Sequence, residues 1–162
     1  MAFSSKSIAN YFLELAKEEG TSLTPMKIQK LIYFAHGWRL AIYDKPLINE
    51  VVEAWKFGPV IPSIYDEFKK FGSKAITSDA IEFDEEERDF VIPIVGEKNK
   101  KVTSLLDKIW EVYGKYSGVQ LSNLTHEKGS PWDKTWGKEG VPFGTDIKQD
   151  DIKNYFYKKI KK

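Results

Sequence analysis

The 162-residue sequence contains no cysteine. Disulfides, thiolate metal sites and thiol nucleophiles are thereby excluded. Histidine is nearly as scarce, with only His36 and His126. Neither stands in an H-E-x-x-H spacing, although His126-Glu127 forms half of one, so a zinc site would need distant carboxylates. The chain also lacks a G-x-S-x-G elbow, a G-x-x-x-x-G-K-S phosphate loop and a G-x-G-x-x-G turn after a strand. No enzyme, metal or cofactor is expected. A hydrolase using His126 with Glu127 or Asp133 is the catalytic alternative, since such partners can lie apart in sequence.

Excess charge is missing too. The 25 Lys and Arg nearly cancel the 24 Asp and Glu, leaving a net charge of +1. A dedicated nucleic-acid binder concentrates a basic excess against phosphates, so the balance argues against that partner. No apolar run approaches the ~20 residues of a membrane span. The opening MAFSSKSIANYF carries no secretory apolar stretch. The expectation is a cytoplasmic chain without a membrane partner. No signal for an oligomeric state is present.

What the chain has in plenty is aromatic side chains. Five Trp, eight Tyr and ten Phe must fill a core or line a contact surface. Charge is segregated as well, with the acids Asp84 to Glu87 and a basic end at Lys158, Lys159, Lys161 and Lys162. Such runs are solvated faces by default, and steering surfaces for an oppositely charged partner in the functional reading.

Periodicity predicts a mainly α fold. The first helix is capped by Ser4 or Ser5, carries Ile8, Tyr11, Phe12 and Leu15, and stops at Gly20. The second is capped by Thr24, begins with Pro25, buries a stripe of Ile28, Leu31, Ile32, Ala35 and Trp38, and runs to about Tyr43. Gly37 inside it implies a close neighbour, either a helix or an aromatic ring. A short extended segment is expected over 51–57, then a helix from Pro62 with Ile61, Ile64, Tyr65, Phe68 and Phe71 inward. Two short strands joined across the acids are read over 80–95, the rival being a short helix begun by Asp84. A strong helix follows from Lys101 to about Tyr113, and a short one around Leu121 and Leu124 ends near His126. Gly129-Ser130-Pro131-Trp132 breaks the chain there. Gly137, Gly140, Pro142 and Gly144 make a loop, and Asp150 or Asp151 opens a last helix with Ile152, Tyr155, Phe156 and Ile160. One domain over residues 1–162 is expected, with a small β element and no repeat.

Three stretches carry a resemblance. The first runs from Met26 through Lys27, Gln29, Lys30, Tyr33 and His36 to Trp38. The second is Glu53-Ala54-Trp55-Lys56-Phe57-Gly58-Pro59-Val60-Ile61-Pro62, leading to Tyr65, and the third is Leu121-Ser122-Asn123-Leu124-Thr125-His126 followed by Pro131-Trp132. In this order they resemble the Panacea antitoxin domain of SocA- and GepA-like proteins, over about residues 5–136. The remaining loop and helix, 137–162, are less patterned.

The resemblance implies a helical domain that neutralises a cognate protein toxin, generally by direct binding. SocA-like members act instead as adaptors that deliver the bound toxin to a bacterial protease, which would be a second partner. Many members carry extra N-terminal segments, DNA-binding ones among them. This chain starts almost directly at the shared domain, so autoregulation through DNA is not expected.

The candidate partner-binding or motif residues are Lys27, Gln29, Lys30, Tyr33, His36, Trp38, Trp55, Gly58, Pro59, Tyr65, Thr125, His126 and Trp132. Physically they read first as scaffold. Gln29 or Lys30 can reach backbone in the turn from Trp55 to Pro59, Trp55 can cover that turn, and Thr125-His126 beside Pro131-Trp132 forms a locked loop with an aromatic lid. Those left exposed are the contact candidates.

Overall fold

Ser4 caps the first helix, α1 (Ser5–Glu18), accepting from the Ser7 amide at 3.2 Å. Ser5, the other candidate cap, lies inside the helix, and its hydroxyl donates to Glu50 at 2.7 Å. Residues 2–136 and 142–160 are described in this computed structural model. Thr24 opens α2 (Pro25–Tyr43), and Asp44 ends it in a left-handed conformation at φ 55°. There follow β1 (Glu53–Trp55), β2 (Gly58–Val60), α3 (Pro62–Phe68), β3 (Glu82–Asp84) and β4 (Asp89–Val91). The chain continues with α4 (Lys100–Tyr113), α5 (Gly118–Thr125), α6 (Pro131–Trp136), β5 (Thr145–Asp146) and α7 (Gln149–Ile160). The fold is mainly α with a small β element, as the periodicity predicts.

α2 is the axis of the molecule. It packs against α1, α3, α4, α5, α7 and β2. A helix surrounded in this way is buried all round rather than along a stripe. Gln29, Lys30, His36 and Arg39 are therefore buried along with Ile28 and Leu31. This departs from the single stripe expected, because periodicity registers apolar positions and is blind to a polar side chain whose stem is packed. Gly37 has the close neighbour that its position implies. A Cβ there would lie 2.2 Å from Cε2 of Phe156 on α7, so the ring sits directly against the α2 backbone.

The strands form two small sheets. One has the order β2-β1-β5, antiparallel throughout, with Trp55 opposite Gly58 and Ala54 opposite both Pro59 and Thr145. The other is the β3–β4 hairpin, with Phe83 opposite Phe90 and the acidic run at its turn. The strand reading of 80–95 is the one realised. Asp84 accepts from the amides of Glu86 and Glu87, which tightens the turn instead of starting a helix.

Some details differ from the pattern. The helical spacing places Tyr65 inward, but it is 44% exposed, because α3 buries only Ile64 and Phe68. Leu124 and Ile160 also face outward. Pro131 does not simply break the chain; it takes the first position of α6, where its missing N–H costs nothing. Residues 137–141 of the expected glycine loop, and Lys161 and Lys162 of the basic end, lie outside the described residues.

Candidate functional site

Most of the motif residues converge on the tip of the β1–β2 hairpin. Lys56 and Phe57 form the turn, and Gly58 leaves it at φ 122°, a region that side chains avoid. A Cβ at Gly58 would also stand 2.8 Å from Thr125 Oγ1 and 3.2 Å from Lys30 Nζ. Glycine is needed here twice over, for conformation and for space.

Side chains from three helices hold this tip from behind. Lys30 Nζ donates to the Pro59 carbonyl at 3.1 Å. Gln29 makes a reciprocal pair with Ile61, its Nε2 donating to the carbonyl at 3.0 Å and its Oε1 accepting from the amide at 2.9 Å. From α5, Ser122 Oγ donates to the Phe57 carbonyl at 2.6 Å. From α6, Trp132 Nε1 donates to the Trp55 carbonyl, also at 2.6 Å. Buried backbone groups of a short hairpin would otherwise lack partners. These bonds fix the tip as a rigid platform.

His126 and Thr125 brace the same latch. The His126 ring stacks on Trp132 with centroids 3.9 Å apart and planes 13° apart. Ser130 Oγ donates to the Thr125 carbonyl at 2.8 Å, and Thr125 Oγ1 to the Ser122 carbonyl at 2.6 Å. The locked loop with an aromatic lid is thus present. His126 Nε2 is buried and has no hydrogen-bond partner among the described residues. Burial lowers the His126 pKa, as does the charge of Lys30, while the Phe57 backbone opposes the shift. Burial also pushes the Lys30 amine down to about 7. The carboxylates of the hydrolase reading are engaged elsewhere. Asp133 accepts from the Gly129 amide at 2.9 Å, and Glu127 pairs with Lys159 at 3.7 Å.

The other candidates are not at the tip. Lys27 reaches across to α4, donating to the Gly114 carbonyl at 2.5 Å and lying over the Trp110 ring. Tyr33 is packed edge-on between Phe34 and Phe156. His36 Nδ1 accepts from the Leu47 amide at 3.2 Å, and burial lowers its pKa to about 4. Trp38 Nε1 donates to the Tyr113 hydroxyl at 3.0 Å. These four tie α2 to its surroundings.

In front of the latch lies a cavity of about 490 Å³. Four aromatic side chains line it, Trp55, Phe57, Tyr65 and Phe143; Trp55 meets Tyr65 with ring centroids 4.8 Å apart, and Phe143 at 5.1 Å. Phe57 and Phe143 are 58% and 67% exposed. Neither stands among the candidate residues, although Phe57 lies inside the second motif stretch. Phe57 stands beside Trp55 at a turn, where alternation along the strand no longer says which way a side chain faces. Phe143 lies in a glycine- and proline-rich loop, and only an exposed aromatic in such a loop could have drawn attention to it.

Among the described residues, no cluster of three or more metal-ligating side chains occurs, and no helix is long and apolar enough to cross a membrane. What the fold and the site define is a helical protein that presents an aromatic cleft on a braced hairpin. A family model described as "Antitoxin SocA-like, Panacea domain" matches residues 28–133, from α2 to α6 and so across the whole latch. The chain belongs to this family. Antitoxin SocA of Caulobacter vibrioides (strain NA1000 / CB15N) is 32% identical to it over 153 residues, covering 93% of this chain and 81% of that protein. No solved structure matches the chain.

Proposed function

We propose that the chain is an antitoxin that neutralises a cognate protein toxin by holding it directly, with the hairpin cleft as its contact face. The observation that supports this most is the placement of Trp55, Phe57, Tyr65 and Phe143 around one cavity. Trp and Tyr supply large contact area for little loss of freedom and dominate binding hot spots. The bonds from Gln29, Lys30, Ser122 and Trp132 hold the platform before a partner arrives, which reduces the ordering cost of association. In this reading the chain acts as one domain over residues 1–162, in the cytoplasm and without catalysis.

Co-expression with the protein encoded by the adjacent gene tests the reading, scoring growth and co-purification together. Rescue of growth with a stable complex, both lost in Trp55→Ala/Tyr65→Ala, is the expected result. Rescue accompanied by protease-dependent loss of the toxin would assign an adaptor instead. Absence of both rescue and complex would overturn the proposal.

A further inference from the structure

A second cavity, of about 310 Å³, opens at the other end of α2. Nine residues separate Lys30 from Arg39, roughly 13 Å along a helix axis. Arg39, Lys45, Lys98, Lys100 and Lys101 line this cavity, and no carboxylate does. None of the five forms an ion pair among the described residues. In a chain of net charge +1 this concentration is not a consequence of composition.

Two independent features point to a ligand. Arg39 is 8% exposed, and its Nε has no hydrogen-bond partner among the described residues. Its guanidinium lies over Tyr43 at 5.7 Å, and Lys101 Nζ lies 5.8 Å from the same ring. A buried donor without an acceptor is costly, and more so beside like charges. The second feature is the start of α4, a 14-residue helix whose cap, Asn99, makes no side-chain capping bond and whose first turn holds no acid. The cap and the first three residues of this helix line the cavity, which sets the positive end of its dipole at the basic cluster.

We propose that this cavity binds a phosphate-bearing small ligand, with the Arg39 fork and the α4 N-terminus on the phosphate oxygens and Lys45, Lys98, Lys100 and Lys101 around them. A phosphate group brings several acceptor oxygens and up to about two charges to one point, which matches donors that converge. Arginine suits such an oxyanion through its planar fork, and helix amides add neutral donors. A carboxylate of an acidic peptide offers fewer oxygens and half the charge. A nucleic-acid strand would need a basic track, whereas these charges close on a single cavity. The chemistry is shared by inorganic polyphosphate and by a nucleoside polyphosphate. It stands apart from the hairpin cleft and does not depend on toxin binding.

Titration calorimetry of the full chain with tripolyphosphate, ATP and adenosine separates the sources. Saturable binding of both anions, with adenosine silent, is expected. ATP binding more than about tenfold tighter than tripolyphosphate would assign the nucleotide, and equal binding would assign the bare polyphosphate. Lys100→Glu places an acid in the first turn of α4, where the helix tolerates it, so the fold should persist by circular dichroism. It should weaken binding about tenfold or more, as should Arg39→Lys, which keeps the charge and loses the fork. No binding of either anion overturns the proposal. So does binding that both variants leave unchanged, or competition by a polyglutamate peptide at the same concentration as tripolyphosphate.

Discussion

The Lys30 amino group donates to the Pro59 carbonyl at 3.1 Å from a side chain that is 2% exposed. One buried amine thereby joins α2 to the turn that presents Trp55. Burial holds its pKa near 7, against an ordinary value of 10.5. Between those values the unfolded chain binds more protons than the folded one, so this group makes stability rise with pH across that window. Below it both states are protonated and the penalty is constant. Urea unfolding from pH 7 to 10 should therefore show a steeper gain for the native protein than for Lys30→Met, by up to ~1.4 kcal/mol per pH unit. Identical slopes would contradict the buried amine.

His36 titrates in the opposite setting, at acid pH. Its Nδ1 accepts from the Leu47 amide, and burial lowers its pKa from 6.5 to about 4. A depressed basic group contributes stability that is complete above 6.5 and is lost as pH falls through the folded value. The loss is on the order of 3 kcal/mol. Denaturant midpoints at pH 7 and pH 4.5 should fall further for the native protein than for His36→Gln, and an equal fall would show that His36 is not the group responsible.

Gly37→Ala sets propensity against space. Alanine in a helix is favoured by about 1 kcal/mol over glycine, but the added Cβ would meet the Phe156 ring at 2.2 Å. Overpacking of this kind costs about 1–3 kcal/mol. The expected outcome is a lower melting temperature for Gly37→Ala, partly recovered in Gly37→Ala/Phe156→Leu. A more stable single variant would mean that the ring moves aside freely.

Tyr65 and Trp55 should separate binding from folding. Tyr65 is 44% exposed, so Tyr65→Ala should change stability by no more than about 0.5 kcal/mol. If the cleft is the contact face, the same change should weaken toxin binding by about 2 kcal/mol, read by calorimetry or by co-purification under dilution. Trp55→Ala should weaken it at least as much. Full affinity in both variants would move the interface off the hairpin.

The latch also shows why some candidates were legible and others were not. Gln29 and Lys30 lie one turn from a Thr-Pro helix start and sit among apolar residues, so a reach toward nearby backbone could be read from spacing alone. The absence of any exposed stripe on α2 could not. Lys27 and Trp38 share the motif with Gln29 and Lys30 but turn to the α4 side of the helix, whereas Tyr33 and His36 stay on the Gln29 side one and two turns further along the axis, beside α7 and the Leu47 turn. Phe143 enters the cleft only because β5 pairs with β1, a two-residue strand without a hydrophobic pattern of its own.

Caps, helix starts and the acidic hairpin were determined by the sequence itself. These rest on local dihedral preferences and on a 3.6-residue period, which act within one or two turns. The direction of Tyr65, the burial of Lys30 and Arg39, and the joining of Trp132 to Trp55 across 77 residues were decided by the tertiary structure. Those outcomes depend on which helices surround α2 once the chain has closed. Burial of a polar head or exposure of an aromatic face is a property of that enclosure, and no residue carries it alone.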